Sequence, residues 1–216
     1  VIRISRALLL ALVAAVLARP LTAQEVLNRF SYDSLGFRGI LVEAGLNANN
    51  ALKTAGQFGL RVNLGQIAPR VRLQVGGSYF RADLTDEEIQ RQEDALLALI
   101  DNPGGATVDL GLVRWSDLAF DADFQYLIGT SGRWQPYLGV GVGLHFRNGS
   151  GDRIRGTFVE DNLDRTQVGL NATIGADFSL TRWLVLALGG RGVLTGSLNT
   201  VALTVGLGYQ VPWSSP

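Results

Sequence analysis

The sequence predicts an all-β fold: an antiparallel up-and-down β-barrel of eight strands that spans a membrane, with one amphipathic helix in a long outer loop. Three observations predict it. Eight segments of 11–13 residues alternate bulky apolar residues with small or polar ones, the period of a strand with two unlike faces. The second face is Gly, Ser, Thr, Asn and Gln with few charges, and Lys53 is the only lysine in the chain. A soluble sheet needs a charged outer face, so here the apolar face is expected to look outward, to lipid. The third observation is the start of the chain, which reads as an export leader.

In that leader Arg3 and Arg6 form a basic start, Ala7 to Ala18 an uncharged apolar run, and Pro20-Leu21-Thr22-Ala23 a small-residue exit. Arg19-Pro20 interrupts the run before the roughly 20 apolar residues a spanning helix requires. Residues 1–23 are therefore expected to be a signal peptide, 24–35 a short periplasmic segment and 36–213 the barrel. Without the leader the chain has 16 basic and 19 acidic residues, net −3, which gives no basic field for nucleic acid. Cysteine is absent and histidine occurs once, so neither a disulfide frame nor a zinc or iron set is expected. No metal or cofactor is expected. After the leader no apolar run reaches the length of a membrane helix.

The strands follow in order. In 36–47, Ile40, Val42, Ala44 and Leu46 oppose Leu41, Glu43 and Gly45. In 55–66, Phe58, Leu60, Val62 and Leu64 oppose Gln57, Gly59, Arg61 and Asn63. In 69–81, Val71, Leu73, Val75 and Tyr79 oppose Arg72, Gln74, Gly76 and Ser78. In 117–128, Leu118, Phe120, Phe124 and Tyr126 oppose Asp121, Asp123 and Gln125. The fifth, "QPYLGVGVGLHF" at 135–146, sets Leu138, Val140, Val142, Leu144 and Phe146 against Gly139, Gly141, Gly143 and His145. Its glycines suit a narrow interior where neighbouring side chains need room, and they lack the spacing of a phosphate cradle. In 166–178, Val168, Leu170, Ile174 and Phe178 oppose Gln167, Asn171, Thr173 and Asp177. Alternation weakens in 183–194, which carries Arg191. In 199–211, Val201, Leu203, Val205, Leu207, Tyr209 and Val211 oppose Thr200, Thr204, Gly206, Gly208 and Gln210. Tilted membrane strands need about 9–11 residues to cross, which all eight supply.

The connections alternate in length. Those near 67–69, 129–134 and 179–182 are short; those at about 82–116 and 148–165 are long. Short periplasmic turns with longer outer loops are the bacterial outer-membrane arrangement. Tyr126, Trp134, Phe178, Trp183, Tyr209 and Trp213 gather at the turn end, and Phe58, Tyr79, Phe120 and Phe146 at the loop end, as two aromatic girdles would. The few charges on the inward face, Glu43, Asp121, Asp123 and Asp177 against Arg61, Arg72 and Arg191, nearly balance. They are expected to form a paired network plugging the lumen, with Arg61 and Arg72 as partners of Asp121 and Asp123.

The fifth strand "QPYLGVGVGLHF" behind a "TSGRW" turn, and the last strand "TVGLGYQV", resemble the small eight-stranded outer-membrane barrels of the OmpA/OmpX type over about residues 36–213. The resemblance implies a monomer in the bacterial outer membrane, in contact with outer-membrane lipid and lipopolysaccharide. It also implies a terminal signal for the barrel-assembly machinery, carried here by Thr204, Gly206, Tyr209 and Val211.

Residues 85–100 break the strand rhythm. Thr85 and Glu88 have capping-box spacing, acidic residues fill the first turn, Ile89, Leu96, Leu97 and Ile100 share one side, and Asn102-Pro103-Gly104 ends the segment. Residues 107–116 keep parity with the fourth strand and either extend it or form a separate leg. With a further strand near 26–32 the count would become ten; eight is expected. Some barrels of this size act on lipid or peptide through His with Ser or Asp. His145, beside Arg147 and Ser150, is the one histidine, and no nearby spacing secures a nucleophile for it. The expected role is structural or surface-interacting rather than enzymatic. A narrow channel for small solutes or ions is the first alternative, and a lipid-modifying barrel enzyme the second.

Overall fold

The computed structural model describes residues 35–99, 108–129, 132–157, 163–196 and 198–211. The leader, the segment 24–34, the alternative strand near 26–32 and Trp213 lie outside the described residues. Eight strands form one closed antiparallel barrel: β1 Leu35–Ala48, β2 Ala55–Ala68, β3 Val71–Asp83, β4 Arg114–Leu127, β5 Trp134–Ser150, β6 Arg165–Ser179, β7 Leu184–Leu194 and β8 Thr200–Gln210. Each strand pairs with its sequence neighbours, and β1 closes the ring on β8 from Gly39↔Gln210 to Ala48↔Val201. Closure leaves no sheet edge unpaired, which a bilayer requires because acyl chains offer no hydrogen bonds.

The two faces separate as the alternation implies. Val42, Val168 and Leu203 are 62%, 69% and 68% exposed, whereas Arg61 and Asp123 are 1% and 0% exposed. The barrel is therefore apolar outside and polar inside, a distribution that suits hydrocarbon rather than water. Aromatic rings meet at both borders of the apolar belt. Trp134 lies over Phe178 at 6.4 Å and Trp183 over Tyr209 at 5.8 Å near the turn end, with the Phe120–Phe146 edge contact at 6.2 Å toward the loop end. Phe58 and Tyr79 are directly paired neighbours there, and Tyr126 is exposed near the turns.

At the turn end β3 begins two residues later than the alternation implies, because Pro69-Arg70 makes the reversal, with Arg70 in the left-handed region at φ 65°. At the other end β3, β4 and β5 run on to Asp83, Arg114 and Ser150. Residues 114–116 thus extend β4, while 108–113 are not strand. The loops fold into a cap. Leu52, Leu84, Leu110, Val113, Ile154, Leu163 and Leu198 pack with the strand residues Phe80 and Ala82 into one buried apolar cluster. Each such Leu or Ile removed from water is worth about 1.5–3 kcal/mol. The helix α1, Asp86–Leu99, lies against this cluster through Ile89 and Leu96. Its Thr85 hydroxyl accepts from the Glu88 amide at 3.3 Å. The reciprocal half of the capping box is absent: Glu88 instead accepts from Arg91 at 2.5 Å, and the Thr85 amide donates to the Ala51 carbonyl. The helix is thereby tied to the first loop.

Candidate functional site

The inward residues of the strands meet in three tiers. In the middle tier the buried Arg61 of β2 donates through Nε to Glu43 of β1 at 3.0 Å and through Nη1 to Asp121 of β4. Arg191 of β7 reaches across to Asp121 at 2.8 Å and Asp123 at 2.5 Å, and Asn171 of β6 donates to Asp123 at 3.3 Å. The neighbouring strands β1 and β2 are thereby cross-linked to β4 and β7 across the lumen by two guanidiniums, each of which can make several donor bonds in a fixed plane. Glycines make the room. A Cβ on Gly59 would stand 2.6 Å from Glu43 Oε1, and one on Gly76 2.6 Å from Arg61 Cδ. On Gly141 it would collide with Asp123.

In the tier nearer the turns, Arg72 donates to Gln125 at 2.9 and 2.6 Å and to Asp177 at 2.5 Å, with the Tyr137 ring 5.2 Å beneath its guanidinium. This corrects the expected pairing of Arg72 with Asp121 and Asp123. Gln125 and Asp177 lie level with Arg72, and the longer reach to the two β4 carboxylates is made by Arg191. In the tier nearer the loops, Asp117 accepts from Arg147 at 3.1 Å and contacts His145 Nδ1 at 3.1 Å. Arg147 also donates to Gln167 at 3.0 Å, to Thr195 at 3.1 Å and to the Leu198 carbonyl at 3.4 Å, fastening the last loop to the wall.

All eight inward residues anticipated from the sequence line the interior, and they fall into separate tiers rather than one cluster. Gln125 and Asn171 were placed inward by the alternation and Arg147 beside His145, but neither they nor Asp117 were anticipated as partners in the charge network. Asp117 has the parity of Asp121 and Asp123 and Arg147 that of His145, so parity carried to the strand ends finds both. Of the assembly-signal residues, Tyr209 faces outward and stacks on Trp183, Thr204 and Gly206 border an interior cavity, and the Val211 amide bonds to the Arg38 carbonyl just beyond β8.

Among the described residues, two cavities of about 20 and 30 Å³ lie inside the barrel. Each has room for about one or two waters. The first is lined by Asn47, Gln57, Ser78, Asp117, His145 and Thr200 among others, and Arg191 borders both. His145 and Asp117 form a carboxylate–imidazole pair whose Nε2 has no protein partner. That atom is buried, and His145 lines the first cavity. Ser150 ends β5 opposite Arg114, outside the cavity. In the loops, Asp109 pairs with Arg153, and that hydrogen bond holds its carboxyl below the usual carboxylate range. Among the described residues no group of three or more metal-ligating side chains could hold an ion.

No family model matches the chain, and no curated protein matches it. Solved structures do. Neisserial surface protein A is 16% identical, with a TM-score of 0.51 over 80% of this chain and 96% of that one. The N-terminal β-barrel domain of Pseudomonas aeruginosa OprF is 15% identical, with a TM-score of 0.47 over 82% and 99%. Ail of Yersinia pestis is 12% identical, with a TM-score of 0.45 over 82% and 100%. With the closed ring of eight antiparallel strands, the first of these likenesses shows that the chain has the fold of the small eight-stranded outer-membrane barrels.

Proposed function

We propose that the protein is a monomeric β-barrel of the bacterial outer membrane with a structural or surface-interaction role and a lumen that does not conduct. It is exported by the leader 1–23 and inserted by the assembly machinery through its last strand, and it meets lipid and lipopolysaccharide along its outer wall. The observation that carries the reading is the pairing inside the lumen. Arg61, Arg72, Arg147 and Arg191 each bond to at least one carboxylate, and the two cavities described beside them are water-sized. An ion would have to break a buried pair to pass, at a cost of about 3–5 kcal/mol if one partner is lost. The apolar cluster that the described loop residues build at the loop end supports the surface role.

The test is single-channel recording in planar bilayers on refolded protein whose folding is first verified by heat-modifiable gel migration. Silence is the expected result. Conductance steps that change on Arg61→Gln or Asp121→Asn would establish the channel alternative instead. Release of acyl chains from lipid, abolished by His145→Ala, would establish the enzyme.

A further inference from the structure

Among the described residues, most exposed cations of the loop end are paired, Arg81 of β3 excepted, whereas those of the three short turns are not. At the loop end Lys53, Arg91, Arg114, Arg153 and Arg155 each pair with a carboxylate. At the turn end Arg70, Arg133 and Arg182 stand one to each of the three short turns, all exposed, and none has an ion pair among the described residues. Asp177, the carboxylate closest to this rim in the described strands, is turned inward and held by Arg72. Two of the three arginines directly precede a tryptophan of the girdle, Arg133 before Trp134 and Arg182 before Trp183. Both tryptophans are stacked and exposed at the border of the apolar belt. The third, Arg70, sits in the left-handed region, where glycine fits without strain. Strain of this kind points toward a use for the side chain.

We propose that this rim is a binding surface for the phosphate headgroups of anionic lipid in the leaflet facing the turns. The inference rests on the membrane reading above and adds a lipid preference to it. Tryptophan rings settle at headgroup depth, which places the adjoining guanidiniums level with the phosphates. A guanidinium meets phosphate through two parallel donor bonds, and a basic residue at an anionic lipid surface enriches that lipid about fivefold.

The native tryptophans report on it. Refolded protein is placed in phosphatidylcholine vesicles containing a small fixed fraction of either brominated phosphatidylglycerol or brominated phosphatidylcholine, and quenching is compared. The anionic lipid is expected to quench about fivefold more effectively at low salt, with the advantage shrinking as salt rises. The triple variant Arg70→Gln, Arg133→Gln, Arg182→Gln loses the advantage. Arg70→Gly relieves the turn yet lowers the advantage, which separates the charge from folding. Arg153→Gln, at the other end, leaves it intact. Equal quenching by the two lipids, or an advantage that survives the triple variant, overturns the proposal while leaving the membrane barrel standing. Quenching by neither lipid would bring down the membrane reading itself.

Discussion

Replacing Arg61 by methionine tests the lumen network most directly, because the guanidinium is wholly buried and serves two carboxylates. Methionine keeps the apolar stem and removes the charge. Asp121 retains Arg191 at 2.8 Å, but Glu43 is left without a cation bonded to it. Removing one member of a buried pair costs about 3–5 kcal/mol, since the survivor stays buried and unpaired. That is a large share of the roughly 5–15 kcal/mol that holds a typical domain together. The second change, Glu43→Gln in the Arg61→Met background, removes the orphaned charge and recovers most of the loss. Reversible urea unfolding in lipid vesicles, followed by tryptophan fluorescence, gives the free energies for the cycle. The coupling between the two sites is expected to be about 2–3 kcal/mol, within the range for residues in direct contact. If Arg61→Met costs less than about 1 kcal/mol, or if Glu43→Gln adds to the loss instead of reversing it, the pair does not hold the strands as argued.

Other outcomes follow from the same geometry. Gly141→Val places a side chain against Asp123 and costs about 1–3 kcal/mol or more through overpacking, whereas Gly192→Ala, with no atom within 4 Å of the added carbon, is neutral within about 0.5 kcal/mol; heat-modifiable gel migration and urea midpoints distinguish them. Ile154→Ala in the cap, where Ile154 is 1% exposed, costs about 2–5 kcal/mol locally; limited proteolysis then cuts within 84–113 while the barrel still migrates as folded. Tryptophans introduced as Val140→Trp and Leu203→Trp are quenched by brominated acyl chains, whereas one introduced as Ala202→Trp, on the inward face, is not.

Much of the fold was legible because strand alternation is a local signal. Once Val42, Val140 and Leu203 are assigned outward, a strict period of two sends Glu43, Gly141 and Ala202 inward with no further information. The same signal placed all eight anticipated lumen residues. It could not choose their partners. Arg72 and Arg191 have equal parity, and which of them meets Asp121 and Asp123 depends on the stagger between strands far apart in sequence. That stagger follows from barrel closure, which no single segment encodes. Asp117 escaped notice, and Arg147 was noted only as a neighbour of His145, because both lie toward the loop ends of their strands. There the outward face turns polar on one side of each, at Ser116 and Asn148 beyond Leu118 and Phe146, so the contrast that marks a membrane strand fades. The helix was readable from its cap spacing and acidic first turn, but its packing on the cluster that holds Leu52 and Ile154 was not, since those residues come from two other loops.

The interior holds five carboxylates, Glu43, Asp117, Asp121, Asp123 and Asp177, against four arginines and His145. Composition alone would permit many pairings of these charges. The structure makes one arrangement favourable by geometry: each arginine stands across the lumen or beside the acids it serves, and glycines at 59, 76 and 141 leave the space its planar head requires. Shifting a strand by one residue would turn a charge out into hydrocarbon, at about 2–4 kcal/mol for an arginine at mid-membrane, and would also orphan its partner inside. The buried charges therefore discriminate against wrong registers even where their net contribution to stability is small. The pairs that fix the register are also the ones that occupy the space between the walls.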